Sequence, residues 1–214
     1  MNATDPIGFF DSGLGGISIL RTTLALMPGE DFLYYGDSNH APYGVRSAGE
    51  ILELSRGAVR FLLERNAKAV VIACNTATAA AAASLREEYP DLPIIGTEPA
   101  VKPAAGHHPG GRVLVMATPT TLQEHKFLDL WERLHEEAVI IPVPCGGLME
   151  FVERGELDGE RLDTFLRELL GPYMGIRPDA VVLGCTHYPF LIPALRKVLG
   201  EDMEFLDGSM GVAR

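Results

Sequence analysis

The sequence predicts an α/β protein built from two pseudo-symmetric parallel-sheet domains. Two observations carry this expectation. Short β-branched runs alternate with longer helix-like segments, the pattern of parallel strands joined by crossover helices. A nine-residue stretch also recurs in each half: K-A-V-V-I-A-C-N-T from Lys68 and D-A-V-V-L-G-C-T-H from Asp179, with Cys74 and Cys185 in equivalent places. The first strands of the halves, I-G-F-F-D-S from Ile7 and V-L-V-M-A-T from Val113, match at a similar spacing. Together they indicate a duplicated α/β unit of about half the chain.

Each element follows from local pattern. Strands are expected at Ile7–Phe10, Phe32–Tyr35, Ala69–Ala73 and Pro93–Ile95, and again at Val113–Met116, Val139–Val143, Ala180–Leu183 and Glu204–Leu206. Between them, helices are expected at Gly16–Met27, Ala48–Arg65, Thr76–Tyr89, Thr120–Glu137, Gly147–Arg154, Gly159–Leu170 and Pro189–Leu199. In Ala48–Arg65 the apolar residues Ile51, Leu54, Ala58, Phe61 and Leu62 recur at helical spacing. Residues 100–111, rich in Pro, Gly and His, read as a linker. The expected domains are 1–99 and 100–206, with 207–214 the start of a return segment to the first domain that the chain cuts short.

Composition narrows the class. Of 214 residues, 47% are hydrophobic and 22% charged, ordinary for a globular protein. A net charge of −11 opposes binding to nucleic acid, and no Lys/Arg run offsets it. Three cysteines make no disulfide framework and suggest a reduced, cytoplasmic setting. Residues 1–8 lack the basic start of a signal peptide. The longest apolar run, Ala67 to Ala83, is interrupted by Lys68, Asn75, Thr76 and Thr78, so no membrane span is expected.

Cys74 and Cys185 each end an apolar strand, where open α/β sheets bind ligands. A helix N-terminus beside each would favour the thiolate. One such cysteine is equally well a small buried hydrophobe; two at equivalent positions of a repeat point to function. Asn75, Thr76 and Thr186 can cap the following helices, or hold a ligand carboxylate with the free N–H groups there. Asp11, in D-S-G-L-G-G, is read either as a helix cap or as an acid facing a cleft. That glycine run lacks the residues of a P-loop and the spacing of a dinucleotide site. His187 can transfer protons, bind ligand or lie on the surface. Glu150 can be a simple N-terminal helix charge, and Cys145 reads as structural. No metal is expected, because Cys74, Cys185 and His187 lack zinc-site spacing.

The motifs D-S-G-L-G-G at Asp11, Y-Y-G-D-S-N-H-A-P-Y-G from Tyr34, A-C-N-T-A-T at Ala73 and G-C-T-H-Y-P at Gly184 run nearly the whole length of the chain. In that order they resemble the glutamate racemases of the aspartate/glutamate racemase superfamily. Aspartate racemases usually carry Glu after the second Cys-Thr; His187 stands there in this chain. The resemblance implies that the active site lies between the two domains. It implies cofactor-independent interconversion of L- and D-glutamate, the D-form feeding peptidoglycan synthesis. The paired catalytic cysteines fall on Cys74 and Cys185, with Asp11 and His187 assisting. Substrate-binding pairs fall on Asp11–Ser12, Tyr43–Gly44, Asn75–Thr76 and Thr186–His187, and Thr118 and Glu150 match further polar positions. The partner implied is the small molecule glutamate, and relatives are often homodimers. Competing expectations are an aspartate or hydantoin racemase, or a two-lobed amino-acid-binding module.

Overall fold

The computed structural model describes residues 2–214, with the backbone alone for residues 125 and 126. The chain divides into two compact units. The first is Met1–Glu98 with Gly208–Arg214, and the second is Pro99–Asp207. Each is a four-stranded parallel sheet flanked by helices.

In the first unit the strands are β1 (Ile7–Asp11), β2 (Phe32–Gly36), β3 (Ala69–Ile72) and β4 (Ile94–Gly96), in the order β2-β1-β3-β4. Alternation along the strands sorts their side chains to the two faces. Phe10, Val70 and Ile72 pack with helices α2 (Ala48–Leu63) and α3 (Asn75–Glu88), through Ile51, Ala58, Val59, Leu62, Ala77, Ala81 and Leu85. Phe9, Val71 and Ala73 pack with Ile19 and Leu20 of α1 (Ile17–Leu26). Both faces are covered, which is why these parallel strands read as unbroken apolar runs. Each fully buried Leu, Ile or Phe contributes about 1.5–3 kcal/mol. Helix α2 begins with a capping box: Ser47 Oγ accepts from the Glu50 N–H, and the Glu50 carboxylate accepts from the Ser47 N–H at 2.9 Å.

The second unit repeats the plan. Its strands are β5 (Arg112–Ala117), β6 (Val139–Pro144), β7 (Ala180–Leu183) and β8 (Glu204–Asp207), in the order β6-β5-β7-β8. The order is that of the first unit with every strand displaced by four. Val113, Val115 and Val182 pack with α4 (Val101–His107) and α6 (His125–Leu134). Helices α7 (Met149–Glu153), α8 (Glu160–Leu170) and α9 (Ile192–Leu199) complete the unit, and α8 packs on α9. The chain then re-enters the first unit as α10 (Ser209–Ala213), which packs on α1 and sends Val212 into the cluster around Phe9.

All eight expected strands are present within one or two residues of their expected ends. Three helical expectations are corrected. Residues 100–111 are not a linker, because they contain α4: Val101, Ala104 and Ala105 form a buried stripe, and Pro103 falls in the first turn, where its missing N–H costs nothing. The single helix expected over Thr120–Glu137 is two, α5 (Pro119–Gln123) and α6, because Glu124 is extended at ψ 138°. The helix expected from Pro189 begins as a 3-10 turn over Tyr188–Leu191 and becomes α9 at Ile192.

Candidate active site

In the first unit the candidate residues gather at the carboxyl ends of β1, β2 and β3. Asp11 ends β1 and is fully buried; its Oδ1 accepts the Gly13 N–H at 2.9 Å, folding D-S-G into a turn. It does not cap α1, whose N-cap is Gly16. Gly16 is required for space: a Cβ there would lie 2.8 Å from the Asp11 Cβ and 2.9 Å from the Ala73 Cβ. Ser12 is buried beside Cys74, whose thiol donates to the Ser12 Oγ at 3.5 Å.

Cys74 is itself the N-cap of α3, its Sγ accepting the Ala77 N–H at 3.4 Å. Sulfur therefore takes the place expected for Asn75 or Thr76, which lie inside the first turn, both buried. The capping role expected for those two is overturned. Asn75 Oδ1 is buried without a hydrogen-bond partner, and a buried acceptor left so costs about 1–3 kcal/mol unless a ligand donates to it.

Tyr43 and Gly44 lie in a 3-10 turn over Tyr43–Val45. The Tyr43 phenol is buried and donates to Asp37 Oδ2 at 2.7 Å. Burial first, then the bond to Asp37, raises its pKa far above the usual range and keeps it neutral. Asp37 follows β2 directly, and its N–H donates to the Asp11 carbonyl at 3.0 Å.

In the second unit Cys185 follows β7, with Thr186 and His187 buried after it. Cys185 does not cap an α-helix; its Sγ lies 3.6 Å from His187 Nδ1. Thr186 caps none either, since His187 occupies the N-cap of the 3-10 turn. His187 is 1% exposed, and its Nε2 bonds Glu153 Oε1 at 2.6 Å. The thiol, the imidazole and the carboxylate thus form a continuous line. Such a line can hold a proton near the sulfur and stabilise a positive imidazole beside it.

Tyr188, fully buried, donates to the Cys145 carbonyl at 3.1 Å and ties the Cys185–His187 turn to the end of β6. Burial raises the Cys145 thiol pKa well above its usual value, and the thiol donates to the Val143 carbonyl, as fits a structural residue. Thr118 caps α5, its Oγ1 accepting the Thr121 N–H at 3.2 Å. Glu150 sits in the first turn of α7 with Oε2 buried and unpaired. Among the described residues no group of three or more His, Cys, Asp or Glu side chains could hold a metal ion. No helix among them is long and apolar enough to cross a membrane.

Glu153, Asp37 and Tyr188 escaped the reading of the sequence. Asp37 had a usable signal, since it follows a strand end as Asp11 does. Tyr188 lies in the motif that ends on Pro189. Glu153 had none, because only folding brings it to His187, 34 residues away.

The family model described as Asp/Glu/Hydantoin racemase matches residues 18–209. A glutamate racemase of Clostridium perfringens is 54% identical over 209 residues, covering 98% of this chain and 80% of the relative. One from Clostridium botulinum is 47% identical, covering 98% and 81%. Among solved structures, Escherichia coli glutamate racemase in complex with L-glutamate and the activator UDP-MurNAc-Ala superposes with a TM-score of 0.90 at 33% identity, covering 98% of this chain and 80% of that one. Francisella tularensis glutamate racemase in complex with D-glutamate gives 0.82 at 29%, covering 98% and 78%. An aspartate racemase from Picrophilus torridus, 13% identical with a TM-score of 0.64, shares the fold. With its duplicated parallel sheets and its cysteines at matching strand ends, the chain belongs to the Asp/Glu/hydantoin racemase family and, within it, to the glutamate racemases.

Proposed function

We propose that this protein interconverts L- and D-glutamate with its own side chains, Cys74 and Cys185 acting as the two bases. The observation that carries the reading is the pair of strand-end thiols, each held beside a polar partner: Ser12 for Cys74 and His187 for Cys185. Inverting an amino acid removes a proton from one face of Cα and delivers another to the opposite face. A thiolate takes the first proton as the opposite thiol gives the second, so the proton count is unchanged and the two thiols exchange roles. The reading requires the two units to supply one base each, so that each thiol addresses one enantiomer.

The carbanion-like transition state needs donors around the substrate carboxylate. Ser12, Thr76, Thr118 and Thr186, with the backbone N–H groups of the Tyr43–Gly44 turn and the start of α3, are suited to that. Buried acceptors at Asn75 and Glu150 are suited to the ammonium group. Asp11 and His187 assist proton movement at Cys74 and Cys185. The D-glutamate so formed would feed peptidoglycan synthesis in the cytoplasm, by a homodimer or a single chain.

The test is racemisation of purified protein with L-glutamate and no added cofactor, followed by loss of optical rotation. Glutamate should racemise and L-aspartate should not, and thiol alkylation should abolish turnover. Racemisation of aspartate in preference to glutamate would transfer the chain to another branch of the family. Binding of glutamate without turnover would support an amino-acid-binding module.

A further inference from the structure

A second hydrogen-bonded cluster lies beside the Cys74 end of the first unit. Its hub is Asp37, 6% exposed, with both carboxylate oxygens engaged. Oδ2 accepts from the Tyr43 phenol at 2.7 Å, and Oδ1 meets His40 Nδ1 at 2.8 Å. The backbone closes the same loop, because the His40 N–H donates to the Asp37 carbonyl at 3.0 Å. Arg46 Nε then donates to the His40 carbonyl at 2.7 Å. Tyr43 packs on Phe10 at 6.3 Å and belongs to the core cluster that contains Cys74.

A buried carboxylate needs a donor or cation on each oxygen, since burial penalises its charge. Tyr43 offers a neutral donor only. His40 is the cationisable side chain bonded to Asp37, and at 50% exposure it meets solvent on its other side. The titratable and charged groups around the pair are Tyr35 on β2, Tyr43 and Arg46 in the loop, and Cys74 at the start of α3.

We propose that His40 is a positioning residue for substrate binding: through Asp37 it holds the Tyr43–Gly44 turn in the register that meets the substrate. This rests on the functional reading above, which places that turn on glutamate. A charged imidazole on a carboxylate makes a bond roughly twice as strong as a neutral one. Removing the imidazole, which bonds Asp37 Oδ1 at 2.8 Å, therefore loosens the anchor. Binding should weaken with it, whereas the chemical step, which in that reading belongs to the thiols, should not.

The experiment compares wild type, His40→Ala, His40→Asn and His40→Arg in both reaction directions. His40→Ala should raise KM for both enantiomers about fivefold, the scale of one partly exposed charge-assisted bond, with kcat within about twofold. His40→Asn, which keeps a neutral donor, should fall between them. His40→Arg, which keeps both a donor and a charge beside Asp37, should restore KM. An active wild type whose KM is unchanged in His40→Ala overturns the proposal alone, as does a His40→Arg KM as poor as that of His40→Ala. A wild type inert toward glutamate overturns the functional reading and this proposal with it.

Discussion

Replacing Glu153 by Gln tests whether the carboxylate behind His187 serves the chemistry or only the fold. Gln keeps the size of the side chain and an acceptor oxygen, so the 2.6 Å contact to His187 Nε2 can persist without its charge. The site is well suited to a charge effect: His187 is 1% exposed and the Glu153 side chain 18%. A hydrogen bond to a charged group contributes about 1.5–3 kcal/mol and a neutral one about 0.5–1.5, so removing the charge alone costs about 1–1.5 kcal/mol. At about 1.4 kcal/mol per factor of ten, that should slow a step assisted by a positive His187 by roughly 5- to 10-fold. L- and D-glutamate have equal free energies, so kcat/KM must fall equally in both directions, and initial rates from each enantiomer provide an internal check. Thermal melting should show the variant folded. In a Cys185→Ser background the added Glu153→Gln change should leave Cys74-dependent exchange of D-glutamate unaltered, since the carboxylate belongs to the second unit. A folded Glu153→Gln protein with kcat/KM within about twofold of wild type would refute the reasoning.

Four further outcomes concern the scaffold. Gly16→Ala should cost about 1–3 kcal/mol in urea unfolding and lower activity, because its Cβ would press on Asp11 and Ala73 at 2.8 and 2.9 Å. Leu62→Ala empties a fully buried position on the inner face of α2 and should cost about 2–5 kcal/mol by the same assay. Ser47→Ala removes a reciprocal cap and should cost about 0.5–2 kcal/mol, with turnover unchanged. Glu204 is hydrogen-bonded by His107 and His108, whose bonds hold its carboxyl below the usual carboxylate range. A depressed carboxyl stabilises the fold above its unfolded pKa, about 4.3, and loses that contribution as pH falls through the folded value. The melting deficit of Glu204→Gln should therefore be present near pH 6 and shrink as the pH falls below about 4; a deficit that stays constant would exclude the linkage.

The strands were legible because a parallel sheet covered on both faces makes contiguous apolar runs, as at Ala69–Ile72 and Ala180–Leu183. Helix α4 was obscured by its composition: Pro103, Gly106 and the two histidines conceal the stripe of Val101, Ala104 and Ala105. The two cysteines were found from the repeat, but their surroundings were not. Cys74 caps its own helix through sulfur, whereas Cys185 meets His187 ahead of a 3-10 turn, so equivalent positions differ in local chemistry. Asp11 was legible as a strand-end acid, although its buried turn was not. Glu153 and His187 approach each other only when β6 and β7 flank β5, a relation no local pattern contains.

The most direct measurement of the two-thiol mechanism is solvent deuterium exchange by the single-cysteine variants. The proposed mechanism assigns Cys74 as the base for D-glutamate and Cys185 as the base for L-glutamate. A serine hydroxyl is too weakly acidic to serve in place of either thiol, so net racemisation should fall by more than about 10²-fold in each variant. The remaining thiolate can still remove a proton and return deuterium to the same face. Cys74→Ser should therefore label L-glutamate without inversion, and Cys185→Ser should label D-glutamate. Near-normal racemisation by either variant, or labelling of both enantiomers by one of them, would contradict two bases that each serve one face.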